Sequence, residues 1–74
     1  MTKEEILKAS KGELQSRWVC IMNCRETWAP EKNELRKEWL MIGVQLALLR
    51  KDYDRAAELA EELSDVYGES LKED

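Results

Sequence analysis

Apolar side chains recur along this chain at helical spacing. Leu7, Leu14, Ile21 and Trp28 fall seven residues apart, with Trp18 and Met22 beside them. Such a series draws one apolar stripe along a helix, and no stretch shows the period-two alternation of a strand. Thr2 and Glu5 stand at capping-box spacing, so a first helix is expected over about residues 3–28. Gly12 costs about 1 kcal/mol in a helix interior, and Ser10 with Glu13 offers a second box at which that helix could break. Pro30 pushes Ala29 out of the helical region and itself suits a first turn, which predicts a second, antiparallel helix over about 30–50. Leu35, Trp39, Ile42, Leu46 and Leu49 supply its packing seam. Asp52 can cap a third helix over about 53–67, continuing the stripe through Tyr53, Ala56, Ala60 and Leu63, with Gly68 as its C-cap and 69–74 fraying. The expected fold is all-α, a single domain over 1–74 built as a small antiparallel three-helix bundle. The alternative is one long helix after the proline, giving a hairpin that dimerises into a four-helix bundle.

The middle helix is the segment that asks for a partner. At about 100° per residue, Trp39, Ile42, Leu46 and Leu49 point one way and Met41, Val44 and Leu48 almost the opposite way, with Leu40 and Ala47 on the flank between. From Trp39 to Leu49 only Gln45 is polar, and a helix apolar nearly all round is normally buried on every side. Two neighbouring helices cover part of that circumference. Met41, Val44 and Leu48, with Leu40 beside them, are therefore expected to stay partly exposed as a protein-binding or self-association surface. Gly43 in their midst lets another helix approach closely. Trp18 and Trp39 are expected in the core, while Trp28, at a helix end, is a candidate anchor, since indoles are enriched among residues that dominate binding energy.

Seventy-four residues make one domain, too short for a multidomain enzyme. A chain of this size buries only about 60% of its unfolded surface and often finds a partner. Twelve basic against sixteen acidic residues give a net charge of -4, which disfavours a phosphate backbone. The excess is local: residues 51–74 carry three basic and nine acidic side chains, and residues 1–50 nine and seven. Arg17, Arg25, Lys32, Arg36 and Lys37 gather near the first turn, but Glu26, Glu31, Glu34 and Glu38 lie among them. The expected surface there is mixed and ion-paired, and nucleic-acid binding through it is the rival reading.

Histidine is absent, which removes the commonest general base and excludes the usual nucleophile arrangements. No glycine-rich phosphate loop occurs, and no cofactor or small-molecule substrate is indicated. Cys20 and Cys24 share a helical face; they are expected to be small buried hydrophobes, with a dimeric thiolate metal or redox site as a further alternative. No apolar leader follows Met1 and no run is long enough to span a bilayer, so a cytoplasmic protein with free thiols is expected.

Trp39, Gly43, Tyr53 and Ala56, in Trp-Leu-Met-Ile-Gly and Asp-Tyr-Asp-Arg-Ala-Ala-Glu-Leu, resemble one tetratricopeptide helical hairpin over about 25 residues. The pattern departs from that repeat by one extra residue between the helices and by Lys51 where a turn glycine is usual. No 34-residue repeat exists, so a concave peptide groove is not implied. The functional expectation is a non-catalytic interaction module, an adaptor, regulator or inhibitor of another protein, with a homodimer among its forms.

Overall fold

A computed structural model describes residues 1–23 and 34–69, and these are helical: α1 (Lys3–Lys8), α2 (Lys11–Asn23), α3 (Glu34–Leu49) and α4 (Tyr53–Tyr67). No strand occurs among the described residues, so the chain is all-α. The Ala29–Pro30 turn, Trp28, Cys24, Arg25, Lys32 and residues 70–74 lie outside them.

The first helix begins as its sequence dictates. Thr2 accepts from the Glu5 amide and the Glu5 carboxylate accepts from the Thr2 amide, a complete capping box. The continuous helix expected over 3–28 does not form. Ala9 turns to extended backbone (φ -71°, ψ 150°), and the Ser10 hydroxyl takes the Glu13 amide at 3.3 Å while donating to the Glu13 carboxylate at 3.2 Å. Two capped short helices thereby replace one long helix carrying Gly12 in its interior. The apolar phase slips at the break: Ile6, not Leu7, is wholly buried in α1, while Leu14 and Ile21 are buried in α2.

The α3–α4 corner is equally local. The Asp52 amide donates to the Ala47 carbonyl at 2.8 Å and the Lys51 amide to the Leu48 carbonyl at 3.1 Å, the two bonds of a Schellman stop. Lys51 therefore sits at φ 61°, a left-handed position that costs a side-chain-bearing residue about 1–2 kcal/mol. It is also the position where the tetratricopeptide pattern carries glycine. Asp52 then caps α4 by accepting from the Arg55 amide. We expect Lys51→Gly to raise the thermal midpoint by a few degrees and Lys51→Val to lower it; a midpoint unmoved by both substitutions would remove the strain from this account. At the far end Gly68, at φ 63°, donates to the Ser64 carbonyl and closes α4. Glu69, expected to fray, instead pairs with Lys37 at 3.1 Å.

α3 is the hub. Its Trp39 side takes α2, where the Trp18 and Trp39 rings stack with centroids 5.3 Å apart and planes 18° from parallel. Its Gly43 side takes α4: a Cβ on Gly43 would lie 2.9 Å from Leu59 Cδ1 and 3.4 Å from Trp18 Nε1, so the missing side chain is what admits both neighbours. α1 also packs on α3, with Met1 and Thr2 near Leu35, Glu38 and Met41. Ile6, Leu14, Ile21, Leu40, Ile42, Leu46 and Leu63 join α3's other apolar positions in one buried cluster.

Candidate interaction surface

The expected patch on the middle helix is mostly not a surface. Leu40 is wholly buried, Val44 is 5% exposed and Met41 8%. The expectation erred because it counted two neighbours for α3, and the break at Ala9–Ser10 supplies a third. With α1 freed from α2, Met1 and Thr2 come beside Met41, Leu35 and Glu38 at one mouth of the α1–α3 seam, and Ile6 enters the same buried cluster as Met41 and Val44. Leu48 alone of that face remains open, at 41% exposure.

Two residues assigned to the packing seam join it at the surface. Leu49 is 46% exposed and Tyr53 63%, because the Schellman turn ends α3 at Leu49 and starts α4 on a new axis. Three large apolar side chains thus flank a single tight turn. The signal that could have located them is the Lys51–Asp52 pair: a helix stop at that point takes Leu49 and Tyr53 out of any continuous stripe. Val19, also 41% exposed, stands apart on α2 beside the exposed Cys20. The rest of α4's outward face is polar or small, with Asp54, Glu58, Glu61 and Asp65 all exposed alongside Ala57 and Ala60.

Near the corner a groove of about 280 Å³ runs between α2, α3 and α4, with Trp18, Gly43 and Leu59 in its wall and Arg50 and Arg55 in its lining. Arg50 donates to the Gln15 side chain at 2.7 Å, bridging α3's end to α2. Trp18 Nε1 is buried and finds no acceptor among the described residues. The indole is held there by its stack on Trp39 and the space that Gly43 leaves.

Among the described residues, Arg17, Arg36 and Lys37 are each paired with a carboxylate. Glu38 is the centre: Arg17 Nε and Nη2 reach its two oxygens at 2.7 and 3.1 Å, and the Met1 ammonium lies 2.7 Å from Oε2. The Glu38 side chain is 12% exposed. Burial pushes its carboxyl up, but the hydrogen bonds from Arg17 and the ammonium outweigh that and hold the pKa below the ordinary value of 4.5. A depressed carboxylate contributes stability above its unfolded pKa and loses it as pH falls through the folded one. Acid titration of the wild type should therefore show the thermal midpoint dropping below about pH 4.5 more steeply than in Glu38→Gln, which should be less stable by about 1–2 kcal/mol at neutral pH. Parallel acid limbs for the two proteins would count against Glu38 as the linked group.

Arg36 pairs with Glu62 at 2.9 Å and Lys37 with Glu69, so three of the five basic residues considered for nucleic acid lie within reach of carboxylates. Cys20, expected to be buried, is exposed and free: Leu14, Ile21 and the Trp18 ring face inward, and at about 100° per residue Cys20 lies almost opposite Trp18. Among the described residues no group of three or more His, Cys, Asp or Glu side chains is placed to hold a metal ion, and no described helix is long and apolar enough to cross a membrane. Comparisons with protein-family models, with curated proteins and with solved structures gave no match to this chain.

Proposed function

We propose that this chain is a non-catalytic protein-interaction module, an adaptor, regulator or inhibitor, that meets its partner or a second copy of itself at the α3–α4 corner. In this reading α2, α3 and α4 form one small three-helix bundle and α1 covers the side of α3 that they leave. The observation that carries it is the exposure of Leu48, Leu49 and Tyr53 around one turn, while the other apolar side chains of α3 from Leu40 to Ala47 are buried. Apolar side chains gathered at one place on a small domain mark contact sites more often than scattered ones do. The charges exposed at the corner are mixed, Arg50, Lys51 and Arg55 beside Asp52 and Asp54, so the apolar centre and not a net charge would select the partner.

The test is a pair of charge insertions at the corner, Leu48→Glu with Tyr53→Glu. Both positions are exposed, so helicity by circular dichroism should be kept. Sedimentation equilibrium over a wide concentration range should show self-association of the wild type and a monomer for the variant. If the wild type is itself a monomer throughout, a photo-crosslinker at position 53 should give a discrete adduct in cell extract that the Leu48→Glu change removes. The absence of both self-association and an adduct would sink the proposal.

A further inference from the structure

We infer that α1 is a displaceable strap: it swings away about the Ala9–Ser10 hinge while α2, α3 and α4 stay folded, and so switches the Met41 side of α3 between covered and open. Four features of the fold carry this. A helix of six residues is far below the length of about 12–15 at which helices persist in water on their own, so α1 exists only while it is docked. Its anchorage is small: Ile6 is its one fully buried side chain, Leu7 and Ala9 are partly buried against the core, and the Met1 ammonium on Glu38 is an ion pair that opening must break. Its exit is an extended residue, and Ser10 caps α2 with its own side chain, so α2 keeps its first turn whether α1 is docked or not. Finally, what the segment covers includes apolar surface: Met1 and Thr2 lie beside Leu35 and Met41, and Met41 shares a face of α3 with Leu48, which is already exposed.

Opening would therefore enlarge the apolar corner along α3 from Leu48 toward Met41. The strap rests on the proposed function only for what the enlarged face would contact; the opening itself is measured separately. α2 and α4 differ in kind from α1. Each contributes two fully or nearly fully buried side chains, Leu14 and Ile21 in one and Ala56 and Leu63 in the other, and each is fixed across α3 by packing at Trp39 or Gly43.

Native-state hydrogen exchange on the intact wild-type chain reads the opening directly. The Ile6, Leu7 and Lys8 amides should exchange at least about 100-fold faster than those of Ile42, Leu46 and Leu63 after correction for intrinsic rates, with little dependence on denaturant. Oxidation of Met41 by dilute hydrogen peroxide, followed by peptide mass, should track the α1 amides, and Ile6→Ala should raise both rates about tenfold or more together. Should the α1 amides and Met41 instead share the protection and denaturant dependence of Leu63, α1 is an integral part of one cooperative unit and the strap is refuted. That outcome leaves the corner untouched, whereas a failed association test with fast α1 exchange removes the interaction reading and keeps the strap.

Discussion

Leu40→Ala should cost about 2–5 kcal/mol, the range for deleting a buried leucine side chain when its cavity does not collapse. A chain of this size holds only about 4–11 kcal/mol in total, so much of its stability goes with this one side chain. Leu40 is wholly buried in the cluster that α3 shares with the other helices, so truncating it opens a void in the middle of the core. For a domain of 60–100 residues each kcal/mol moves the thermal midpoint by roughly 4–8 °C, and the expected fall is therefore about 10 °C or more. The comparison that gives the result its meaning is Leu48→Ala, eight residues on and 41% exposed, which should cost less than about 1 kcal/mol. Both residues belong to the apolar excess that the sequence shows on this helix. Calorimetry separates them: equal losses would mean that Leu48 is core and that the corner is not a surface.

Gly43→Leu should be the second severe change, and for the opposite reason. The α3–α4 approach is so close that even a Cβ would stand 2.9 Å from Leu59 Cδ1, with the Trp18 indole nitrogen at 3.4 Å. Leu59 Cδ1 is the end of a flexible side chain and can give way, so Gly43→Ala should come out near neutral, its helix-propensity gain of about 1 kcal/mol offset by that shift. Three further carbons have nowhere to go except between the helices. Overpacking of this kind costs about 1–3 kcal/mol, and here it also pries Trp18 from its stack on Trp39. A Gly43→Leu protein with an unchanged midpoint and unchanged near-ultraviolet dichroism would show that α4 does not sit where it is placed.

The sequence was most readable where the deciding atoms lie within a few residues of one another. Thr2 and Glu5 form the box that their spacing announces, Asp52 accepts from the Arg55 amide, and Gly68 takes the left-handed position that ends α4. Ser10 and Glu13 carried the same kind of signal, yet the regular series Leu7, Leu14, Ile21 argued for a helix running through them. The cap prevailed because Ile6 could take over burial from Leu7 once the chain turned, and a seven-residue repeat in one dimension cannot show that exchange. Leu49 and Tyr53 were misplaced for the same cause: a stripe read across a stop gives both residues a helix axis that neither shares with the other.

By itself the sequence determined that the chain is helical, where several of its caps lie, and that its central helix is too apolar for one neighbour to cover, since propensity, capping and periodicity are local properties. Only the tertiary structure decided how that helix is enclosed: which residues return to it, that the α1 segment comes beside Met41, and that Leu48 is left at the edge. Enclosure depends on where distant segments come to rest in space, and that is set by the sum of packing over the whole chain.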